Sequence, residues 1–372
     1  MIKRLYIDNY KCFVNFEYRP APLQLLFGAN GCGKSTLFEV LARLRDFVAG
    51  EKGAVESFAG TLTAWQAREQ QQFELDIDGR GRAYRYKLVV VQSARSGASS
   101  IRVGSEELHC DGQRLYWFDG HDAHLCGDNS SSSAAFPLSA SQSGIALIGD
   151  PTAEALIRGF RDLLDCVYVI VLDPFRMESV AAAEESRPRP DLTNFAAWYR
   201  HLAQDSPDVM SPMFSALAEA MNGFVKLKLT SFGTARILDV IFRYRDDIAS
   251  ETHEFQLHFG SLSHGQRCLI ALFAILYCAV RSGVTICIDE PDNFIALREM
   301  QPWLAELCDR VEETQSQCLL VSHHPEFIDL LAVKHGVLFT RAGEGPVRIK
   351  PLEWSEADAI RPSELIARGW EE

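Results

Sequence analysis

The alternation of hydrophobic and polar positions predicts strands at the start of the chain. Residues 2–7 alternate loosely and predict a strand, and Asn9–Phe13 leads into a second short one. The compact apolar run Leu23–Phe27 predicts a buried strand. A glycine-rich turn follows it, and a helical pattern then extends from Ser35 to about Val48. The N-terminal region therefore predicts a strand, a turn and a helix in direct succession.

The next segment predicts an antiparallel β-meander. Two hairpins are indicated, because turn residues stand between strand-like runs in each case. The first has Phe73–Ile77 and Tyr84–Val91 around Asp78-Gly79-Arg80-Gly81, and the second has Glu107–Cys110 and Arg114–Phe118 around Asp111-Gly112. The serine-containing stretch from about 119 to 145, with Ser130–Ser133, predicts a loop.

The remaining pattern alternates helices and strands, which is typical of a parallel α/β arrangement. Asp191 is predicted to N-cap a helix over Phe195–Ala203. That helix has one apolar face, which indicates a core position, with a partner or nucleic-acid contact as the alternative. Further helices are predicted at 212–222, 265–280 and 298–313, and further strands at Phe224–Leu229, Arg236–Tyr244, Glu254–Phe259, 284–288 and 318–322.

Composition places the chain among globular proteins. It has 372 residues, 47% hydrophobic residues and a formal net charge of −13, so its surface as a whole does not attract nucleic acid. Its 10 cysteines include no CxxC pair and several lie in apolar runs, which predicts reduced thiols in a cytoplasmic protein. No long apolar stretch predicts a transmembrane helix, and the N-terminus lacks the apolar segment of a secretory signal.

The glycine-rich turn carries a phosphate-binding pattern. Gly28-Ala29-Asn30-Gly31-Cys32-Gly33-Lys34-Ser35-Thr36, which we call the phosphate loop, fits G-x-x-x-x-G-K-[ST] between a strand and a helix. Glycines let backbone N–H groups approach phosphates, and the helix N-terminus favours the same anion. Lys34 is expected to contact the β- and γ-phosphates, and the Ser35 hydroxyl to bind Mg²⁺. The alternative is a chance glycine-rich turn.

A second chemical site is predicted where the strand 284–288 ends. Asp289-Glu290 follows the apolar run directly, and charge beside a core is costly unless it has a partner. Asp289 suits a metal-site carboxylate acting through water, and Glu290 suits a general base for the attacking water. The alternative is a solvated strand end before Pro291.

Two further segments give only weak evidence of a functional role when each is taken alone. Leu262-Ser263-His264-Gly265-Gln266, which we call the signature segment, precedes an apolar helix and offers a second anion site, with a plain helix cap as the alternative. Ser322-His323-His324-Pro325 ends an apolar strand, where a neutral imidazole suits a γ-phosphate sensor. The alternative there is a surface histidine without function.

The four segments stand in the order found in ABC-type ATPases, and the chain resembles the SMC/RecF/OLD-like branch of that class. The N-terminal strand pair, the large separation between the phosphate loop and the signature segment, and the Asp289–Asn293 run carry the resemblance. It implies an α/β P-loop ATPase head with a mixed central sheet, a β-meander and an inserted, mainly helical lobe. The implied segments are 1–125 and 261–372 for two ATPase lobes, with 126–260 as the insertion.

The resemblance also implies roles for individual residues. ATP and Mg²⁺ would be the cofactors, with Asn30 to Thr36 holding the nucleotide, Ser35 and Asp289 at the metal, and Lys34 and Glu290 in catalysis. Ser263 and Gly265 would close over the ATP of a second copy, and His323 would act as a switch histidine. Many stand-alone members of the branch resemble ATPases of antiviral defence modules, so a homodimer with a nuclease effector supplied in trans is expected. The alternatives are a DNA-repair ATPase that binds DNA directly and a transporter's nucleotide-binding subunit.

The sequence departs from the pattern of that class at three places. His264 stands where the second glycine of the signature is usual, and Ala296 stands where an acidic residue follows the catalytic glutamate in transporters. The third departure is that the Mg²⁺-sensing glutamine of the class has no clear match; Gln66 is the candidate, with a surface position as the alternative. Tyr10 and Lys11 are candidates for adenine contacts, with strand packing as the alternative.

Overall fold

The computed structural model describes residues 1–93, 100–126, 133–148, 151–246, 251–341, 343–352, 354 and 360–368. The chain divides into two compact units. The first unit contains residues 1–169, 283–285 and 327–372, and the second contains 170–282 and 286–326. This division follows contacts rather than chain order, and the three-segment domain arrangement stays a prediction.

The first unit is built on an antiparallel meander that forms most of an 8-stranded sheet, in the order β2-β1-β4-β5-β6-β7-β8-β9. Strand β4 alternates buried and half-buried positions, and β5 does so after its exposed start. One face of the sheet therefore packs on the core. The strands are β1 Ile2–Asp8, β2 Phe16–Tyr18, β3 Leu23–Phe27, β4 Gln70–Gly79, β5 Arg82–Ser93, β6 Ser100–Cys110, β7 Gln113–Phe118, β8 Asp122–Cys126 and β9 Ser133–Pro137.

The two predicted hairpin turns are confirmed by their backbone conformation. Arg80 and Gly81 have φ of 53° and 74°, and Asp111 and Gly112 have φ of 50° and 83°. Consecutive positive φ angles match the twist of a two-residue hairpin, which favours Asp and Gly at these positions. The predicted meander is therefore present, and it continues into β8 and β9.

A fully buried carboxylate lies within the meander. Glu106 accepts hydrogen bonds from Tyr86 Oη at 2.8 Å and Ser143 Oγ at 2.6 Å on Oε1. On Oε2 it accepts from Tyr116 Oη at 3.2 Å and the Gly144 N–H at 2.9 Å. Burial raises the pKa of Glu106, and the four donors oppose that shift. These bonds connect β5, β6 and β7 to the segment after β9.

Strand β3 leads directly into the phosphate loop. All of its residues are buried, and it pairs in parallel with β17, which itself pairs antiparallel with β18. The sheet around β3 is therefore mixed, as the sequence predicts. The other elements that lie mainly in this unit are α1 Lys34–Ala49, α2 Ala54–Phe58, α3 Pro151–Asp165, α9 Val333–His335, α10 Pro362–Ala367, β17 Gly336–Arg341 and β18 Val347–Pro351.

The second unit contains a 4-stranded sheet and a helical layer. In the sheet β13 is central, because β12 pairs with one side of it and β11 and β14 pair with it as well. Strands β10, β15 and β16 adjoin in that order, with β10 and β15 starting in the first unit. The elements are β10 Val167–Val171, β11 Val180–Ala181, α4 Phe195–Asp205, α5 Met210–Ala220, β12 Phe224–Phe232, β13 Ala235–Asp246, β14 Glu251–His258, α6 His264–Ala274, β15 Thr285–Asp289, α7 Leu297–Thr314, β16 Gln317–Val321 and α8 Pro325–Phe327.

Two local predictions are wrong. The stretch 119–145 was expected to be a loop, but β8 and β9 pair there, although Ser130 to Ser132 lie outside the described residues. Asp191 does not cap α4, because its carboxylate accepts from Thr193 and pairs with Arg176. Asn194 occupies the cap position and makes no side-chain cap hydrogen bond.

The apolar face of α4 belongs to the core, since Phe195, Trp198, Tyr199 and Leu202 are all buried. All 10 cysteines are free thiols, as predicted. Among the described residues, no helix combines the length and apolar character needed to cross a membrane.

Candidate nucleotide-binding and hydrolysis site

The phosphate loop has a backbone path that requires glycine. Gly28 has φ of 132°, and a Cβ there would lie 2.2 Å from the carbonyl oxygen of Phe339. Gly33 has φ of 92°, and a Cβ there would lie 2.8 Å from Cys12 Sγ. A side chain at either position would collide with the chain packed behind it, so the loop keeps its tight turn only with glycine.

The loop ends on the N-terminus of α1, where Gly33 is the N-cap and supplies no side-chain hydrogen bond. The first N–H groups of a helix carry a partial positive charge and need acceptors from outside the helix. Asn30, Gly31 and Ser35 are exposed at this end of the loop, whereas Cys32 is buried. The arrangement suits an anion bound by main-chain donors.

Lys34 brings a nearly buried positive charge to the centre of the loop. Its side chain donates to the carbonyl oxygens of Gly28 at 2.8 Å and Ala29 at 3.0 Å, and lies 3.6 Å from Cys32 Sγ. The residue is only 5% exposed. Among the described residues, no carboxylate lies within ion-pair distance of Lys34. A buried ammonium whose partners are neutral is stabilised by an incoming anion.

Several residues fit a magnesium ion held together with phosphates. The Ser35 hydroxyl is exposed at the start of α1. The Gln66 amide donates to Asp8 Oδ1 at 3.4 Å, while its buried Oε1 has no hydrogen-bond partner among the described residues. The described part of the chain has no group of three or more His, Cys, Asp or Glu side chains able to hold a metal. Mg²⁺ often keeps several waters and uses few protein ligands beside phosphates, so this sparse oxygen set suits it.

The acidic strand end lies in the second unit and has an unusual backbone. Glu290 directly follows β15 with φ of 50°, a conformation that is uncommon for residues other than glycine. Its N–H donates to the Val321 carbonyl at 2.8 Å, which ties it to the end of β16. Its Oε2 accepts from Asn293 Nδ2 at 2.6 Å. The side chain remains 42% exposed, so it is fixed in place and also open to water.

His323 lies beside this carboxylate. Its Nε2 is 3.8 Å from Glu290 Oε1, and its side chain is 39% exposed. The preceding Ser322 donates to Asp292 Oδ1 at 2.7 Å and accepts from the His324 N–H at 2.9 Å. The adjoining ends of β15 and β16 therefore place Glu290 and His323 together, which the sequence did not predict.

The signature segment begins α6 with a capping box. Ser263 Oγ accepts from the Gln266 N–H at 3.2 Å, and Gln266 Oε1 accepts from the Ser263 N–H at 3.0 Å. Capping uses an oxygen lone pair of the serine, so its O–H proton can still donate to another acceptor. The structure thus shows the helix-cap geometry, and a contact with the ATP of a second copy stays a prediction.

Gly265 packs directly against the loop that follows Glu290. A Cβ at Gly265 would lie 2.6 Å from the Phe294 carbonyl oxygen, and Phe294 itself has φ of 73°. The His264 ring lies 4.1 Å from the Phe175 ring and 6.1 Å from the Phe294 ring, measured between centroids. These aromatic contacts accommodate the histidine that stands in place of the usual glycine. Ala296 is the N-cap of α7.

The predicted adenine contacts at Tyr10 and Lys11 have structural partners instead. Tyr10 is fully buried, and its hydroxyl lies 3.2 Å from Glu39 Oε1. Lys11 donates to both carboxylate oxygens of Glu39, at 2.7 and 2.6 Å. Both residues fit the alternative reading, in which they support the strands next to α1.

The predicted site residues therefore form two groups, one in each unit. Asn30 to Thr36 lie together in the first unit, and Ser263, Gly265, Asp289, Glu290 and His323 lie in the second. Three residues were not predicted from the sequence: Asn293, which holds Glu290, Arg341, which donates to the Gly31 carbonyl oxygen of the phosphate loop, and Trp65, whose ring lies under that arginine. Asn293 lies within the acidic run, which is a usable signal, whereas nothing in the sequence links Trp65 to Arg341.

Comparison with known proteins gives a family match and two structural similarities. The chain matches the family described as "AAA domain, putative AbiEii toxin, Type IV TA system" over residues 24–139 and 171–329. The comparison with curated proteins gave no match. A solved structure titled "Crystal structure of the SmcHead bound to the C-winged helix domain of ScpA" is 12% identical with a TM-score of 0.52, covering 96% of this chain and 99% of that one. The "SMC head domain from Thermotoga maritima" is 12% identical with a TM-score of 0.48, covering 95% and 99%.

The phosphate loop and the family match together define a P-loop AAA domain, and its fold resembles that of an SMC head. Within that class, the chain belongs to the AAA-domain family whose description names a putative AbiEii toxin of a type IV toxin–antitoxin system.

Proposed function

We propose that this chain is a magnesium-dependent, ATP-hydrolysing regulatory ATPase. In this proposal it acts as a nucleotide-dependent dimer and controls a partner effector, a nuclease, in antiviral defence. The observation that carries the ATP site is Lys34, a nearly buried ammonium with neutral partners at an uncapped helix start. The family description adds support for a two-component role, since it names a toxin–antitoxin system.

The residues have distinct tasks in this mechanism. Lys34 and the amides of Asn30 to Thr36 bind the β- and γ-phosphates, and Glu290 accepts the proton of the attacking water. Asn293 holds Oε2 of Glu290, so Oε1, 3.8 Å from His323 Nε2, is left to accept the proton of the attacking water. Ser35, by its hydroxyl, and Asp289, through water, would hold Mg²⁺. Bound there, Mg²⁺ would supply charge neutralisation for the phosphates.

Substitution of Lys34 tests the nucleotide-binding site directly. Lys34→Ala is expected to abolish ATP binding measured by calorimetry and phosphate release measured with a colorimetric assay. Lys334→Ala, which changes an exposed lysine, is the matched control and should behave as wild type. ATP binding and turnover by Lys34→Ala at wild-type levels would refute the site.

Nucleotide-dependent dimerisation through the signature segment is tested by changing Ser263. Aspartate caps helices as well as serine does, so Ser263→Asp keeps α6 intact while its charge repels a phosphate. We expect Ser263→Asp to stay monomeric with ATP in analytical ultracentrifugation, while wild type dimerises and Ser263→Thr, which keeps the hydroxyl, also does. Dimerisation of Ser263→Asp with ATP would exclude the signature segment from the interface.

The identity of the partner effector is tested by examining the genes that adjoin this one. A nuclease gene next to it, whose product shows nuclease activity that depends on this ATPase and on ATP, supports the proposal. A neighbouring gene for a membrane protein would favour a transporter subunit instead.

A second candidate function is a repair-type ATPase that binds DNA directly, and one surface favours it. Residues paired across antiparallel strands share a face, so the register places Lys226, Lys228, Arg243 and Arg245 on one face of the 4-stranded sheet. All four are exposed. Among the described residues, two carboxylates share that face: Glu254, which pairs with Arg243, and Asp239, which is buried. This face is basic although the chain carries a net charge of −13.

DNA binding is measured by fluorescence anisotropy with single-stranded and duplex oligonucleotides at several salt concentrations. If this function holds, Lys226→Glu with Lys228→Glu weakens binding and flattens its salt dependence. The control, Lys3→Glu with Lys334→Glu, makes the same charge change on exposed residues elsewhere. Equal binding by both double variants would rule out this face.

A further inference from the structure

An exposed tryptophan contacts an arginine that is hydrogen-bonded to the phosphate loop. Trp65 is in the segment between α2 and β4, and it is 40% exposed. A large aromatic side chain at the surface is available for stacking with a flat ligand. The guanidinium of Arg341 lies over its indole, with 5.2 Å from Cζ to the ring centroid.

Arg341 connects this indole to the phosphate loop. Its Nη1 donates to the Gly31 carbonyl oxygen at 3.2 Å. Its Nε donates to Gly345 O at 2.9 Å and its Nη2 to Glu344 O at 3.2 Å, which fixes the guanidinium at the turn between β17 and β18. The planar fork of arginine supports such simultaneous bonding and stacking. Trp65 is therefore held one arginine side chain away from Gly31.

We propose that Trp65, positioned by Arg341, is the stacking surface for the base of the bound nucleotide. This inference rests on the proposed function, because it takes the phosphate loop to hold the triphosphate. The base is covalently attached to that triphosphate through the ribose, so it must lie near the loop. Tyr10, the other aromatic candidate, is fully buried and unavailable for stacking.

Stacking on a flat ring uses the face of the base and tolerates any base. The loss of one base–aromatic stack weakens binding on the order of 5- to 150-fold. Trp65→Ala should therefore weaken ATP and GTP binding by similar factors within this range. Binding of inorganic tripolyphosphate, which has no base, should not change.

The experiment uses calorimetry on the full chain with Mg²⁺, titrated with ATP, GTP and inorganic tripolyphosphate. Trp65→Phe keeps an aromatic face and should restore most of the ATP affinity. Trp117→Ala is the matched control, because Trp117 on β7 also carries an arginine, Arg114, with 3.9 Å from Cζ to the ring centroid. This control should bind all three ligands as wild type does.

Tryptophan emission gives a second readout. ATP should change the emission of wild type and of Trp117→Phe, and this change should be absent in Trp65→Phe. The inference is overturned if Trp65→Ala binds ATP as wild type does, or if it loses ATP and tripolyphosphate equally. A wild-type chain that binds neither ligand would instead refute the proposed function itself.

Discussion

Replacement of Glu106 tests whether the meander depends on one buried carboxylate. Glu106→Leu removes the acceptor of four hydrogen bonds and leaves the Gly144 N–H and three hydroxyl groups without it. Leaving a buried donor without its acceptor costs about 1–3 kcal/mol, so the four groups together should cost at least about 3 kcal/mol of unfolding free energy. We expect a loss of this size in urea unfolding followed by tryptophan fluorescence.

Glu106→Gln should cost far less, because the amide can be oriented to suit its neighbours. The carbonyl oxygen takes the place of Oε2 and accepts from the Gly144 N–H and Tyr116. The NH₂ group takes the place of Oε1, where Tyr86 and Ser143 are hydroxyls that can rotate and accept. The buried charge is also removed, so we expect a change of less than about 1.5 kcal/mol.

The pH dependence provides an independent check. Burial raises the pKa of Glu106 in the folded chain above its value in the unfolded chain, so the folded state binds the proton more tightly. The stabilisation from protonation is complete below the unfolded pKa and is lost as pH rises through the folded pKa. Lowering the pH from 7.5 toward 5 should therefore stabilise wild type relative to Glu106→Gln, since all other groups are shared.

Glu107→Gln is the control, because Glu107 is the next residue on β6 and is only half-buried. A surface change of this kind stays within about 0.5 kcal/mol. Equal destabilisation by Glu106→Gln and Glu106→Leu, or a difference between wild type and Glu106→Gln that does not vary with pH, would refute the reasoning.

Two further predictions concern Glu290 and the contact between Gly265 and Phe294. Glu290→Gln should slow phosphate release about 10²- to 10⁴-fold while calorimetry shows ATP binding retained, because the amide keeps its shape and its bond from Asn293. Glu312→Gln, an exposed carboxylate on α7, should turn over normally, and a normal rate in Glu290→Gln would exclude it as the base. Gly265→Ala should lower the unfolding free energy by about 1–3 kcal/mol, because its Cβ would lie 2.6 Å from the Phe294 carbonyl oxygen. Gly260→Ala has 3.3 Å to Ser179 Oγ and should cost less; equal melting temperatures for the two variants would contradict the packing argument.

Local chemistry explains which parts of the fold were predictable. The hairpin turns at Arg80-Gly81 and Asp111-Gly112 need positive φ angles, and the glycine at the second turn position of each indicates that need in the sequence. Strand β8 was missed because Asp122–Cys126 is short and follows turn-forming residues, so pairing with β7 decides its conformation. Asp191 was wrongly predicted to cap α4, because its carboxylate is bound by Arg176, 15 positions earlier in the chain, and by Thr193.

The candidate site also contains residues that could be predicted from the sequence and residues that could not. The phosphate loop was predictable because the glycines and Lys34 are contiguous and their spacing is set by phosphate geometry. Trp65 and Arg341 were not, because 276 positions separate them and only the packing of β17 beside β3 brings Arg341 to Gly31. The ring contact between His264 and Phe175 could not be predicted either, since the two residues lie far apart in the chain.

The contact between Gly265 and the Phe294 carbonyl has a mechanical consequence. The two chain segments touch with no spare volume, so the loop carrying Glu290 cannot shift toward α6 without pushing the first turn of that helix. Ser263 caps that turn and must move with it. A displacement of the Glu290 loop toward α6 would therefore be transmitted, through Gly265, to the end of α6 that carries the Ser263 hydroxyl.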